Sequence, residues 1–248
     1  MKACALGFPT ILLVAATSAL AAEPVTPLVT DAPVVLELFT SEGCSSCPPA
    51  DALLGRLAQR RDLLPLAFHI DYWDYLGWKD LFDSPLATER QYAYGKALDA
   101  MVYTPQMVVD GAREAVGSDE AAVALAIDAE KVRPKLKLAV TRDGAGLYSV
   151  ALPAGEASAG PASVYVALFD HLHETPIGRG ENSGRKLSEF NIVRQWRKIG
   201  TWAGEAAVFP LDLSASSEAF DACAILVQDG SNGRLRGATA FALRQPGG

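Results

Sequence analysis

A C-x-x-C motif followed at once by two prolines constrains this chain more than any other feature. Cys44 and Cys47 enclose two serines, and the prolines occupy the next two positions. Proline is tolerated in a helix only in the first turn, where its missing N–H leaves no hydrogen bond unmade. The prolines therefore predict a helix that begins close to Ser45 or Ser46, whose hydroxyls are suitable N-caps.

A helix N-terminus at this point changes the chemistry of the first cysteine. Free N–H groups and the positive end of the helix dipole stabilise a thiolate, so we expect the pKa of Cys44 to be lowered. Cys47 follows one turn later, where its thiol can attack a mixed disulfide formed at Cys44. The pair is predicted to act in thiol–disulfide exchange, with Cys44 as the nucleophile and Cys47 as the resolving thiol.

The same spacing also fits two other kinds of site. A structural disulfide would use the pair without turnover. Half of a zinc site would need two more ligands, and Cys223 and the three histidines of the chain offer few candidates for them. The function that corresponds to these alternatives is a binding module, either a copper or other metal chaperone or a non-catalytic scaffold.

Apolar runs place the motif between a strand and a helix. Residues 34–39 are nearly all apolar and β-prone, which is typical of a strand buried on both faces. Apolar residues at helical spacing follow over 50–61. Alternating strands and helices predict a mostly parallel sheet with helices packed on it. The other elements predicted in this half are strands over 66–70, 106–109 and 113–116, and helices over 85–99 and after the capping residue Ser118.

The pattern changes at Pro134. From there on, strand-like runs separated by Gly-rich turns predict a second, all-β unit, most simply a small sandwich. We predict a domain over 32–133 that carries the C-x-x-C motif and a β-rich domain over 135–245, with the boundary near 133–136. The predicted strands of the second unit cover 137–141, 148–152, 164–169, 206–211 and 224–228.

A Thr-Pro step gives the first half a recognisable arrangement. Pro105 opens the strand over 106–109, where a cis bond would let the chain turn tightly. The order of elements resembles the thioredoxin superfamily. A strand, the C-x-x-C motif and a helix come first, and a Thr-Pro step, a hairpin and a last helix follow about 60 residues later. The resemblance implies that Pro105 is cis and packs against the disulfide, and that Thr104 supplies backbone groups for a peptide substrate.

Longer stretches narrow the resemblance. Residues 38–51, 69–80 and 103–111 resemble a secreted, thioredoxin-like bacterial family catalogued as domain of unknown function 1223, and 179–185 resembles its C-terminal region. The implied fold class is an α/β thioredoxin-like domain followed by a smaller all-β, sandwich-like C-terminal unit. The family has no assigned reaction. The Trp and Gly of thioredoxin are replaced by Gly43 and the two serines, so oxidation, reduction and isomerisation all stay open.

The N-terminus predicts the compartment. Residues 1–21 are typical of a secretory signal, with Lys2, an apolar run over 11–16 and an Ala-Leu-Ala cleavage site over 19–21. The apolar run is shorter than the about 20 residues of a membrane-spanning helix. We expect a periplasmic or secreted protein, in an oxidising space where disulfides persist.

Charge and motif together predict the partners. The formal net charge of -7 argues against non-specific binding of nucleic acid, which needs a basic surface. The expected partners are exported protein substrates or a redox partner protein, with no membrane contact after signal cleavage. No cofactor or metal is implied for the exchange itself.

Several residues outside the motif have two interpretations each. Glu37, inside the apolar strand, is either a partner for a Lys or Arg or a buried carboxylate that takes the proton from Cys47. His171 and His173 share one face of a strand, as a solvated strand end or a metal site. Cys223 is either an inert core thiol or a third redox partner. An aromatic group is either core packing or the rim of a substrate groove; it consists of Tyr72, Trp73, Tyr75 and Trp78.

Overall fold

The computed structural model describes residue 1 and residues 22–156, 160–216, 218–230 and 232–244. The predicted signal over 1–21 lies outside these ranges except for Met1. No helix within them is long and apolar enough to cross a membrane.

The first half of the chain alternates strands and helices. All seven residues of strand β2 and all seven of β3 are buried, as expected for strands covered on both faces. The elements in order are β1 (Glu23–Pro24), β2 (Val34–Thr40), α1 (Pro48–Leu57), β3 (Leu63–His69), α2 (Pro85–Leu98), β4 (Gln106–Val109), β5 (Arg113–Val116) and α3 (Glu120–Lys131).

Two helix starts differ from the sequence prediction by one or two residues. Helix α1 has Cys47 as its N-cap and no side-chain cap bond, so neither serine of the motif caps it. Helix α3 is capped by Asp119 rather than Ser118, because the Asp119 carboxylate accepts from the N–H of Ala122 at 3.0 Å. Serine and aspartate are about equally good caps, so residue type does not decide between neighbouring positions.

The second half of the chain consists of strands. Two of them form a long hairpin, with 15 residues in β8 and 17 in β9. The sequence prediction contained only part of β8 and neither β9 nor β12. The strands are β6 (Ala139–Gly144), β7 (Leu147–Leu152), β8 (Ala162–Pro176), β9 (Lys186–Trp202), β10 (Ala207–Asp212), β11 (Ala222–Asp229) and β12 (Leu235–Ala242).

One eight-stranded sheet joins the two halves. Its order is β12-β11-β8-β9-β3-β2-β4-β5, with β2 parallel to β3 and β3 parallel to β9. The predicted boundary near 133–136 lies in the connection between α3 and β6, and the sheet continues across it. A four-stranded sheet, β1-β6-β7-β10, packs on the C-terminal strands of the larger one, with Val150 and Leu152 on one side and Val166 and Ile225 on the other.

A buried ion pair ties β2 to α2 and to the C-terminal half. Arg90 donates to both carboxylate oxygens of Glu37, at 2.5 and 3.0 Å, and to Gln228 Oε1 at 3.1 Å. Tyr94 donates its hydroxyl to Glu37 at 2.6 Å, and the guanidinium lies 4.1 Å from the ring centre of Trp196. The interpretation of Glu37 as the partner of a basic residue is therefore confirmed.

This pair predicts a large loss of stability for Arg90→Met. The substitution leaves the Glu37 carboxylate buried without its counter-charge, which costs about 3–5 kcal/mol of unfolding free energy. Arg56→Met is the matched control, because Arg56 pairs with Glu120 at 2.8 Å on the exposed surface and should cost less than about 1 kcal/mol. Equilibrium unfolding in urea measures both values, and equal losses would contradict the prediction.

Candidate functional site

The disulfide lies in the turn between β2 and α1. Cys44 and Cys47 are bonded, with their Cα atoms 5.4 Å apart. The Cys44 N–H donates to Ser41 O at 3.1 Å, and the Cys47 N–H donates to Cys44 O at 3.2 Å. Cys44 is 2 % exposed and Cys47 is fully buried, whereas Ser45 and Ser46 between them are exposed.

The Thr-Pro step lies against this turn. The Thr104–Pro105 peptide bond is cis, as the resemblance implied. Thr104 Oγ1 donates to Cys44 Sγ at 3.3 Å, and Ser46 Oγ lies 3.4 Å from the same sulfur. Pro105 is buried, and its carbonyl accepts from the Gly117 N–H at 2.9 Å. The structure thus brings Thr104 into direct contact with Cys44.

Part of the aromatic group borders the site. Trp73 donates its indole N–H to Thr104 Oγ1 at 2.7 Å, and its ring stacks on that of Tyr75 with the centroids 6.2 Å apart. Tyr75 is 76 % exposed. Tyr72 and Trp73 both pack against the core, and Tyr72 donates to Gln91 at 3.1 Å. The group is therefore divided between core packing and the surface beside the disulfide.

The tip of the β8–β9 hairpin holds the motif from the other side. Asn182 is fully buried, and its Nδ2 donates to the carbonyls of Glu42 and Cys44 at 2.9 and 3.0 Å. Glu181 accepts from the N–H of Ser45 at 3.3 Å. The sequence prediction assigned no role to these residues. The only signal for them was the family resemblance of 179–185.

A buried polar cluster lies beside the turn. Thr40 donates to Asp51 Oδ1 at 2.8 Å, and His69 Nδ1 lies 2.8 Å from Asp80 Oδ2. His69 Nε2 is 3.9 Å from Glu189 Oε1. Asp80 also accepts from the Glu42 N–H at 2.8 Å, which connects the cluster to the turn that carries the cysteines.

Burial and charge shift the pKa values of this cluster. Burial raises the pKa of Asp51 to about 7, against the opposing effects of His69 and Thr40. Burial likewise raises the pKa of Glu189 to about 8, opposed by His69. Burial alone would lower the pKa of His69, but Asp80, Glu189 and Asp51 together raise it to about 10. Two carboxyls beside the turn therefore exchange protons close to neutral pH.

Asp51 is a buried carboxyl close to Cys47 in the sequence. It lies on α1 four residues after Cys47, and its N–H donates to Cys47 O at 3.1 Å, so both side chains belong to the same helix face. It also lines a cavity of about 660 Å³ between α1 and β9, together with Gly55 and Phe190. The i, i+4 spacing was the signal in the sequence that could have identified it.

The remaining candidates lie elsewhere. Cys223 is a free thiol buried in the core between the two sheets, and burial raises its pKa, as expected for an inert core thiol. His171 Nδ1 is 3.2 Å from Asn191 Oδ1, and the exposed His173 packs its ring on Phe82. Within the described ranges, no three His, Cys, Asp or Glu side chains are grouped to hold a metal ion.

Comparisons with known proteins place the chain among relatives. The model of the family described as "Protein of unknown function (DUF1223)" matches residues 35–228. The crystal structure of protein AGR_C_4864 from Agrobacterium tumefaciens is similar, with 30% sequence identity and a TM-score of 0.74. The match covers 88% of this chain and 97% of that one. The comparison with curated proteins finds no match.

The hairpin tip predicts a local effect for Asn182→Ala. The substitution removes the Asn182 donor from the Glu42 carbonyl and leaves the Cys44 carbonyl with only the Cys47 N–H, which should cost about 1–3 kcal/mol of unfolding free energy. Amide hydrogen exchange over residues 42–47 should become faster. Ser183→Ala is the control, since its hydroxyl makes a single exposed contact with Gly178 O at 3.3 Å. Unchanged exchange over 42–47 in the Asn182 variant would contradict the prediction.

Proposed function

Because the chain belongs to the family described as "Protein of unknown function (DUF1223)", we propose from its own residues that it is a thiol–disulfide oxidoreductase. The observation that carries this proposal is the arrangement at the start of α1. A disulfide-bonded C-x-x-C pair stands there, with the hydroxyl of Thr104 on Cys44 Sγ and a cis proline next in the chain. The positive end of the helix dipole at Cys44 favours a thiolate leaving group.

The proposal includes a thioredoxin-like fold for the first half. It is supported by the strand order β3-β2-β4-β5, in which β2 and β3 are parallel and β4 and β5 are antiparallel to their neighbours. The long hairpin β8–β9 extends this sheet, and the sandwich formed with β6, β7 and β10 makes up the β-rich unit. The hairpin tip connects that unit to the disulfide.

The proposed reaction has two thiol–disulfide exchange steps. A substrate thiolate attacks Cys44 Sγ, the Cys44–Cys47 bond breaks, and Cys47 leaves as a thiolate that takes up a proton. A second thiolate of the substrate then attacks the substrate sulfur of the mixed disulfide, and Cys44 leaves as a thiolate. The substrate dithiol has become a disulfide and the protein disulfide a dithiol. The same steps in reverse reduce a substrate disulfide.

Asp51 is the proposed proton donor and acceptor for Cys47. Cys47 gains a proton when the disulfide opens and loses it when the disulfide closes. Asp51 lies one helical turn away with a pKa of about 7, raised by burial, so it carries and releases a proton near neutral pH. The cavity that it lines offers a route for proton exchange with solvent.

The proposed substrates are exported proteins, in the periplasm or outside the cell. The secretory pattern over 1–21 and a C-x-x-C pair that forms a disulfide both support this compartment. The exposed serines of the motif and the exposed ring of Tyr75 form the surface that a protein substrate would meet first.

Burial of the pair favours one other candidate, a structural crosslink. Cys44 is 2 % exposed and Cys47 is fully buried, and a substrate sulfur needs access to Cys44. The hydroxyl groups of Ser46 and Thr104 lie against that sulfur and must move aside before attack. A disulfide that serves only as a crosslink would resist reduction by the glutathione pool.

The exchange mechanism predicts that Cys47→Ala arrests the reaction at the mixed disulfide. Reduced Cys47→Ala protein, incubated with insulin, should form a covalent Cys44–insulin adduct that is visible on non-reducing gels and by mass spectrometry. The adduct accumulates because the resolving thiol is gone. Cys44→Ala should form none, and Cys223→Ala should behave like the unmodified protein.

The adduct and the activity test the enzyme together. The unmodified protein should catalyse the reduction of insulin by dithiothreitol, and both single variants of the motif should lose that catalysis. If neither the adduct nor the catalysis is observed, the oxidoreductase proposal is contradicted and the disulfide is a structural crosslink.

Asp51→Asn should slow only the step that uses Cys47. Reaction of the reduced protein with 5,5′-dithiobis(2-nitrobenzoate) releases one chromophore on attack by Cys44 and a second when Cys47 resolves the mixed disulfide. Loss of the proton acceptor should slow the second release by about 100-fold or more. In the unmodified protein this rate should rise with pH through about 7, where Asp51 ionises, and the variant should lack that rise.

The control for this variant is Asp128→Asn, an exposed carboxyl on α3. It should leave both phases unchanged. A second phase with the same rate and pH dependence in Asp51→Asn would rule out Asp51 as the proton acceptor of Cys47.

A further inference from the structure

Three residues from separate segments form a hydrogen-bond chain that ends on the sulfur of Cys44. Trp73, in the segment after β3, donates to Thr104 Oγ1 at 2.7 Å, and Thr104 Oγ1 donates to Cys44 Sγ at 3.3 Å. The hydrogen-bond chain begins at the half-buried ring of Trp73 and ends at the nearly buried sulfur of Cys44. Trp73 makes no direct hydrogen bond to the cysteine, so any effect on it must pass through Thr104.

The chemistry of the groups fixes the direction of the chain. An indole N–H only donates, whereas a hydroxyl has one proton and two lone pairs. With the indole on one lone pair, the hydroxyl proton points away from the indole, and the Cys44 sulfur accepts it at 3.3 Å. The neighbouring hydroxyl of Ser46 lies within reach of two acceptors, Thr104 O at 3.5 Å and Cys44 Sγ at 3.4 Å.

We infer that Trp73 is a positioning residue, which directs the hydroxyl proton of Thr104 toward Cys44 and so stabilises the Cys44 thiolate. This inference deepens the proposed exchange function and rests on it. A hydrogen bond to an ionised acceptor is about twice as strong as one to a neutral acceptor. The oriented hydroxyl therefore favours the reduced, thiolate form over the disulfide, which makes the pair a stronger oxidant.

The position of the indole is itself constrained. Its ring stacks on Tyr75 and lies against Tyr72, with the centroids 6.2 and 5.8 Å apart. A Cβ at Gly43 would lie 3.1 Å from Trp73 Cβ and 3.4 Å from its carbonyl oxygen. A side chain at position 43 would press on Trp73, and glycine lets the residue directly before the motif approach Trp73 closely.

The charged groups around Cys44 come from two elements. Glu42 belongs to the motif turn, and Glu181 on the hairpin tip accepts from the Ser45 N–H at 3.3 Å. Neither is altered by a substitution at Trp73 or Thr104, so such variants isolate the hydrogen-bond chain.

A double-mutant cycle tests the inference. Trp73→Phe removes the indole N–H and keeps an aromatic ring, and Thr104→Val removes the hydroxyl and keeps the shape. In reduced protein that carries Cys47→Ala, the alkylation rate of Cys44 by iodoacetamide reports the thiolate at a fixed pH. Trp73→Phe should lower this rate about fivefold to tenfold, Thr104→Val at least as much, and the double variant no further than Thr104→Val.

Thiolate absorbance at 240 nm against pH gives a second readout, in which the same variants should shift the titration of Cys44 upward. Tyr92→Leu, which removes an exposed ring on α2 and none of the three bonded groups, should leave it unchanged. Thr104→Ser keeps a hydroxyl, so Trp73→Phe should still shift the titration of Cys44 in a protein that carries Thr104→Ser. This variant serves as the test if Thr104→Val disrupts the fold.

An equal effect of Trp73→Phe in the presence and absence of the Thr104 hydroxyl would overturn the inference, as would no effect at all. Both readouts require only the Cys44 thiol and no protein substrate. A failure of the insulin assays would therefore be distinguishable from a failure of the Trp73 chain.

Discussion

Two hydrogen bonds from the side chain of Asn182 hold the turn that carries the disulfide. They reach the carbonyls of Glu42 and Cys44 from the tip of the β8–β9 hairpin, 138 residues from Cys44 along the chain. Strand β9 pairs with β3 inside the sheet, and the β8–β9 hairpin continues past this pairing to its tip. The tip therefore reaches the turn that carries the disulfide. The geometry at Cys44 thus depends on the C-terminal half as much as on the motif itself.

The proton chemistry proposed for the site has a cost in stability. Burial raises the pKa values of Asp51 to about 7 and of Glu189 to about 8. A carboxyl with a raised pKa favours the folded state while it is protonated, and this contribution is lost as the pH rises through those values. The imidazolium of His69 beside Asp80 adds to that loss, because its own contribution is full below the ordinary histidine pKa of 6.5 and is lost as the pH rises to about 10. The buried carboxyls beside the motif turn therefore weaken the fold in mildly alkaline solution.

The sequence predicted the elements that depend on neighbouring residues. It did not predict the contacts between residues that are far apart along the chain. The apolar run of β2, the prolines of α1 and the strand opened by Pro105 are readable because each depends on nearby residues. Strand β9 was missed because its exposed residues are polar and charged and no continuous apolar run marks it. The partner of Glu37 could not be read, since Arg90 lies 53 residues away. The same holds for the hairpin tip, whose bonds to the motif turn depend on how β8 and β9 fold.

The reduction potential of the Cys44–Cys47 pair separates an exchanging disulfide from a structural crosslink. Equilibrating the protein in buffers of glutathione or dithiothreitol, and quantifying the two forms by mass spectrometry after alkylation, gives that potential. An oxidoreductase predicts a reversible midpoint between about −120 and −270 mV, the range from strong oxidants to thioredoxin. A midpoint below about −300 mV, where the glutathione pool does not reduce a disulfide, would contradict the proposed function.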